Sequence, residues 1–226
     1  MSATLSCVTL TGADEAVDPA ELEDIRKKYP VVEWAILLAP GHMGKSRHPG
    51  REWIEEFLET CKGRKSLHLC FNAISSFVAG EAPIMALAKQ FNRIQLNFAS
   101  LANLPDSEAL DEAIRSFHHP VILQHGRGSA KLLARLSAPN RQVLFDESGG
   151  TGKLPEQWPQ PLPNVKCGYA GGLKPDNLRY QLPKIFKAAG KSEFWIDMES
   201  GIRDGQGNFD TGLAREALKI SQAFRA

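Results

Sequence analysis

Long apolar runs are missing from this chain of 226 residues. Its most hydrophobic stretch, "VVEWAILLAP" at 31–40, falls far short of the roughly 20 residues a membrane-spanning helix needs. The opening "MSATLSCVTL" lacks the basic start and long apolar core of a signal peptide, so a soluble, cytoplasmic protein with no membrane partner is expected. An excess of either charge is also missing. Lys and Arg total 27 against 26 for Asp and Glu, the net charge is +1, and the basic residues are scattered, which argues against a nucleic-acid partner. Cysteines are few and widely spaced. Cys7, Cys61, Cys70 and Cys167 form no C-x-x-C pair, which favours buried, reduced thiols over disulfides or a zinc site, and no metal or cofactor is expected. Finally, the chain has no low-complexity stretch or obvious linker, so residues 1–226 read as a single domain, as a monomer or homodimer.

What is present is a regular alternation of short apolar runs with amphipathic segments. The candidate strands are "LSCVTL", "EWAILLA", "SLHLCF", "RIQLNF", "PVILQH", "QVLFD", "NVKCGYA" and "FWIDM", eight in all. Helical patterns between them include "DPAELEDIRKKY", "GREWIEEFLETC", "SEALDEAIRSFH" and "DTGLAREALKISQAF", several opening with Asp or Ser caps. Such alternation means parallel strands covered by helices. An open doubly wound sheet would carry G-x-G-x-x-G at its first strand-to-helix turn, and "TLTGADEAVDP" lacks it. Glycine-rich turns follow the sixth and seventh strands instead, with "SG" after the eighth, where a closed (β/α)8 TIM barrel often binds phosphate.

In a barrel all strand C-termini open onto one face, so residues distant in sequence meet there. Those expected at this face are Thr11, Asp14, Ser46, Arg47, Asn72, Gln95, Asn97, His125, Asp146, Gly171, Gly172, Asp197, Glu199, Ser200 and Gly201. The segment "LFDESGGTGK" (144–153) sets a carboxylate where a strand stops, followed by glycines whose bare backbone lets N–H groups approach a ligand. That is how an acid is set beside an anion.

Three motifs in the last third resemble those of the phosphoribosylanthranilate isomerases of tryptophan biosynthesis. "LFDESGGTGK" is similar to that family's sixth-strand aspartate with G-G-T-G-K, "YAGGLKPDNL" to its A-G-G-L-x-P-x-N, and "IDMESGIRD" to its V-D-x-S-S-G-V-E. "SRHP", "HLCFN" and "RIQLN" are weaker echoes of its S-P-R-Y loop, third strand and Q-L-H strand. The resemblance implies a small phosphorylated substrate whose phosphate lies on main-chain N–H groups at Gly150, Gly171, Gly172, Ser200 and Gly201, a reading that helix-terminus electrostatics support. It implies a substrate site including Arg47, Gln95, His125 and Asp197, with the Arg47 fork suited to a carboxylate. It makes Asp146 the general acid that opens the sugar ring. Plainer readings stand beside these: tight turns for the glycines, a solvated charge for Arg47, a cap for Asp146, and hydrogen-bonded interior residues for His68 and His125. His118 and His119 end a helix at the surface.

The family's first strand ends in K-I-C-G-I-T, and its cysteine is the general base. Aligned without a gap at the glycine, "TLTG" sets Thr11 at that position, while Cys7 lies about 13 Å back along the strand, deep in the barrel. A threonine is a poor base unless a neighbour activates it. Asn97 stands where the family has histidine, the loop "APGHMGKSRHPG" is longer, and Glu199 replaces a serine, adding a carboxylate that could serve as base. The expected function is therefore an Amadori-type isomerisation of a phosphorylated sugar or its aryl-amine conjugate, an aldose-ketose isomerase chemistry with Asp146 as acid and Thr11 or Glu199 in an altered base. The alternatives are a non-catalytic phosphosugar-binding or regulatory protein, or an isomerase or lyase of another phosphosugar pathway using Glu199 or His125.

Overall fold

The computed structural model describes residues 2–98, 106–126, 128–148 and 152–225. Eight parallel strands close into a barrel in sequence order: β1 (Thr4–Thr11), β2 (Val32–Leu38), β3 (Arg64–Cys70), β4 (Arg93–Asn97), β5 (Val121–His125), β6 (Arg141–Phe145), β7 (Cys167–Tyr169) and β8 (Glu193–Met198). Every candidate strand read from the sequence is there. The helices are α1 (Pro19–Lys28), α2 (Arg51–Thr60), α3 (Asn72–Val78), α4 (Ala82–Ala88), α5 (Ser107–Phe117), α6 (Ala130–Leu133), α7 (Pro175–Ala189) and α8 (Thr211–Gln222). Aspartates cap three of the anticipated helices: Asp18 accepts from the Ala20 N–H, Asp106 from those of Glu108 and Ala109, and Asp210 from that of Leu213. At α5 the cap is therefore Asp106, and Ser107 is the first helical residue. The αL conformation of His118 ends that helix at the exposed surface.

Departures from a regular β/α alternation have local causes. Two short helices, α3 and α4, follow β3. Between β6 and β7 the described residues form no helix, because Pro155, Pro159, Pro161 and Pro163 remove donors and fix the chain as extended coil. The same prolines, with Asn164 at φ +59, delay β7 so that only Cys167–Tyr169 pairs as a strand.

Alternation along the strands separates two interiors. Outward residues such as Val8, Leu10, Trp34, Ile36, Leu67, Ile94 and Phe194 pack against the helices as the apolar core. Inward residues are polar to a degree unusual for a fold whose centre is commonly filled by Val, Ile and Leu. At the N-terminal end of the barrel the Arg93 Nε donates to both Glu33 carboxylate oxygens at 3.0 and 2.9 Å, and Nη2 donates to Glu33 Oε1 at 2.5 Å. Arg93 also donates to Gln142, Thr9 and Cys7, and its guanidinium lies 4.4 Å from the centroid of the Trp195 ring. The Thr9 hydroxyl completes the set by donating to Glu33. Trp195 lies so flat on β7 that a Cβ at Gly168 would come within 2.1 Å of its ring, which is why a glycine stands there. All four cysteines are buried, and Cys7 lies beside Arg93, far below the mouth.

Removing one partner of a buried ion pair strands the other charge, whereas replacing both with apolar groups does not. Glu33→Ala should therefore lower unfolding free energy by about 3–5 kcal/mol, while Glu33→Leu with Arg93→Met should cost far less or stabilise. Urea unfolding of the three proteins checks this; a double variant as unstable as the single would mean the pair supports the barrel beyond its charges.

Candidate active site

A pocket opens at the C-terminal end of the barrel, and most of the residues expected there line it. Its floor is set by strands from opposite sides. At the end of β1 the Thr11 hydroxyl donates to Asp197 Oδ1 on β8 at 2.8 Å. The other oxygen of Asp197 lies 3.9 Å from His68 Nε2 on β3, too far for a hydrogen bond. Burial pushes the Asp197 carboxyl up to about 8, with Glu199 and Glu33 adding to the effect against the Thr11 bond and Arg93. Burial, helped by Arg93, drives the His68 imidazole down to about 3. Close as they are, the two groups are thus neutral together across the intervening pH range, not an ion pair. Expected as a hydrogen-bonded interior residue, His68 is interior, yet among the described residues its Nε2 has no hydrogen-bond partner.

Arg203, to which the sequence motifs assign no role, packs against the end of β1 beside Thr11. Its Nη2 donates to the Gly12 carbonyl at 2.8 Å, and a Cβ on Gly12 would fall 2.0 Å from that nitrogen, so only glycine, here at φ +89, leaves room for the guanidinium. On β4, Gln95 Nε2 donates to Asn97 Oδ1 at 2.7 Å, and Asn97 in turn donates to the Cys70 sulfur.

Asp146 follows β6. Its Oδ2 accepts from Gln124 Nε2 at 2.7 Å, and its Oδ1 accepts from the main-chain N–H and hydroxyl of Ser148. Strand parity explains Gln124: on β5 it faces inward with Ile122. His125, expected among the substrate-binding residues, instead faces outward, its ring edge-on to Phe145 at 5.3 Å. The period-two pattern of β5 carried that distinction and the residue type obscured it.

The glycine turn stands directly against this acid. A Cβ on Gly171 would lie 3.4 Å from Asp146 Oδ1, and the φ values of Gly171 (+105) and Gly172 (+66) require glycine. Gly172 is pinned by Asn177, whose Nδ2 donates to its carbonyl at 2.8 Å while Oδ1 accepts from the Lys174 N–H. Among the described residues, the N–H groups of Gly171 and Gly172 donate to no protein acceptor. The turn after β8 abuts this one, since a Cβ on Gly201 would fall 2.0 Å from the Leu173 carbonyl oxygen. Gly152 packs on the Ser200 hydroxyl, drawing in the segment after β6. Gly150 lies outside the described residues.

The loop after β2 crosses the mouth. Arg47 sits at φ +70, a conformation a non-glycine residue rarely adopts, and Asp14 holds it there by accepting its main-chain N–H at 2.6 Å. Glu15 ties the far end of the loop through the Gly50 N–H. Arg47 Nη1 reaches Glu199 Oε1 at 3.2 Å, so the two residues expected as carboxylate ligand and altered base are each other's partner. Asp14, Ser46, Asn72 and Gly201, expected at this face, do not line the pocket. Phe71 does, at φ +52 and stacked on His42 at 5.3 Å. Among the described residues no group of three His, Cys, Asp or Glu is arranged to hold a metal ion.

No known protein-family model matches the chain, and no curated protein sequence does. Solved structures are similar along nearly its whole length. A phosphoribosyl anthranilate isomerase from Thermus thermophilus is 20% identical, with a TM-score of 0.68 over 97% of this chain and all of that one. TrpF from Jonesia denitrificans is 18% identical, with a TM-score of 0.64 over 96% of this chain and 97% of that one. A truncated 3-deoxy-D-arabino-heptulosonate 7-phosphate synthase from Thermotoga maritima is 12% identical, with a TM-score of 0.60 over 99% of this chain and 87% of that one. At these identities the likeness establishes the barrel fold.

The floor groups make stability depend on pH in a definite way. Asp197 has a folded value above its unfolded 3.8, so its contribution is complete below that pH and is lost as pH rises toward 8. His68 has a folded value below its unfolded 6.5, so its contribution is complete above 6.5 and is lost as pH falls toward 3. Between about 4 and 6.5 the two slopes oppose each other, and above 6.5 only Asp197 acts. Wild type should lose about 2 kcal/mol relative to Asp197→Asn between pH 6.5 and 8. Urea unfolding of both proteins at the two pH values measures it; parallel behaviour would mean Asp197 is already ionised at neutral pH.

Proposed function

We propose that the protein is a phosphosugar isomerase of the Amadori type, acting on a phosphorylated sugar or its aryl-amine conjugate such as phosphoribosylanthranilate. The observation that carries this reading is the contact between Asp146 and the Gly171–Gly172 turn, whose N–H groups are unspent. An acid and an anion-binding backbone then meet adjoining parts of one ligand. In this reading the phosphate lies on the N–H groups of that turn and of Ser200–Gly201, beside the N-terminus of α7 and without a lysine. Arg47 takes the substrate carboxylate.

The chemistry follows from these positions. Asp146 gives a proton to the ring oxygen, the bond from C1 to that oxygen breaks, and the amine lone pair forms a C=N bond. A base then removes the proton from C2, the C–H electrons form the C1=C2 bond of the enolamine as the C=N electrons return to nitrogen, and protonation at C1 with loss of the C2 hydroxyl proton yields the ketone. Thr11 suits that base poorly because its hydroxyl is engaged with Asp197. Glu199 suits it better, since a substrate carboxylate arriving at Arg47 would release the Glu199 carboxylate into the same pocket. A second reading, a phosphosugar-binding protein without catalysis, is favoured by the threonine that stands at the family's cysteine position.

Turnover of phosphoribosylanthranilate, followed by loss of its fluorescence, separates these readings. Wild type should be slow, because a positioned base contributes a factor of about 10² to 10⁴. Thr11→Cys should raise the rate by at least about tenfold, since a thiolate is the stronger nucleophile and base. Glu199→Gln should remove the residual wild-type rate, and Asp146→Asn should abolish turnover in either background while leaving phosphate affinity within a few fold. Wild-type turnover unaffected by Asp146→Asn would overturn the assignment of the acid. Inert Thr11→Cys protein that still binds the substrate would favour the binding reading.

A further inference from the structure

Two successive layers of the barrel interior treat their ionisable groups differently. In the lower one, Arg93 and Glu33 are each hydrogen-bonded through their charged groups to several neighbours, although Ser66 Oγ and Trp195 Nε1 beside them have no partner among the described residues. In the layer above, His68 Nε2, Gln95 Oε1 and Asp197 Oδ2 have no hydrogen-bond partner among the described residues, although their residues are 1%, 4% and 6% exposed. All three residues line the floor of the pocket. Leaving such groups unpaired is destabilising, and an apolar side chain at any of these positions would avoid that cost.

The free atoms are held in place by their other ends. Asp197 is fixed through Oδ1 by Thr11, and Gln95 through Nε2 by Asn97, which turns the Gln95 carbonyl oxygen toward the floor. His68 and Gln95 are register partners on adjacent strands, and Asp197 approaches from β8. The 3.9 Å between His68 Nε2 and Asp197 Oδ2 is too long for a direct bond, but one oxygen about 2.8 Å from each would bridge them from about 2 Å to the side of the line joining them.

We infer that the pocket floor is a subsite for one neutral hydroxyl group of the ligand, with His68 the residue that specifies it. The hydroxyl donates to His68 Nε2, with the Gln95 carbonyl as its neighbour, and accepts from the Asp197 carboxylic acid. With the His68 proton on Nδ1, His68 Nε2 and Gln95 Oε1 offer only lone pairs, so an anionic group is disfavoured there. The neutrality of both His68 and Asp197 near pH 7 matches this division into one acceptor and one donor. The inference rests on the phosphosugar reading for orientation: the phosphate stays at the glycine rim and a hydroxyl-bearing carbon points down the barrel.

Titration calorimetry with D-ribose 5-phosphate and with inorganic phosphate, on wild type and His68→Leu, tests it. Expected is a loss of about tenfold or more in ribose 5-phosphate affinity in the variant, with phosphate affinity unchanged and urea stability equal or higher, because a buried unpaired group has been removed. A histidine that merely packs the barrel would show the opposite, with lower stability and equal affinity. In parallel, the His68 Nε2 resonance in ¹⁵N NMR spectra should move when unphosphorylated D-ribose is added at millimolar concentration. If ribose moves that resonance while inorganic phosphate fails to bind, the phosphate reading falls and the subsite stands. If His68→Leu binds ribose 5-phosphate as well as wild type, or the resonance is unmoved by either sugar, the subsite is wrong and the three atoms serve only water.

Discussion

The buried pair of Arg93 and Glu33 decides what the rest of the barrel interior can be. A full charge below the pocket survives only because Glu33 takes it through both oxygens and Thr9, Gln142 and the Trp195 ring surround what is left. That arrangement in turn demands Gly168, since no side chain fits beneath the indole. It also reaches upward. Arg93 adds to the burial that keeps His68 neutral and partly offsets the burial that keeps Asp197 protonated, so the floor of the pocket is electrically quiet while the layer beneath it is charged.

Above the floor, the site is built more from backbone than from side chains. The segments after β6, β7 and β8 touch through Gly152, Gly171, Gly172 and Gly201, at distances that a Cβ would forbid. Such packing brings N–H groups close together without a lysine, and it leaves the nearby Asp146 as the main acidic group against that turn. The same economy appears at the mouth, where the Asp14 carboxylate spends a hydrogen bond on holding one strained residue so that the Arg47 side chain spans the opening to Glu199. Of the non-glycine residues at positive φ, Arg47 and Phe71 line the pocket, whereas His118 ends α5 and Asn164 precedes β7.

The departures from the isomerase motifs fall in one place. Thr11, Asn97 and Glu199 all line this pocket, and Arg203, where the motif has a glutamate, donates to the Gly12 carbonyl next to Thr11. The turns after β7 and β8 carry the glycines of those motifs, and on the reading proposed above the altered positions are the ones that would move protons.

Strand and helix identities were legible in the sequence because they depend on neighbours within a few residues: β-branched and aromatic runs, aspartate caps, and prolines that stop β7 from starting early. The Asp146 and double-glycine motifs were legible for the same reason. The inward polar set was written there too, as every second residue of β1, β4, β5 and β8, yet His125 drew attention while Gln124, one step along, faces the pocket. Tertiary structure alone decided which of these residues meet. That His68 approaches Asp197, that Glu199 engages Arg47, and that Arg203 fills the space a side chain on Gly12 would take all depend on strands brought face to face by closure of the sheet. Closure depends on the tilt and register of all the strands at once, and no local stretch of sequence carries that sum.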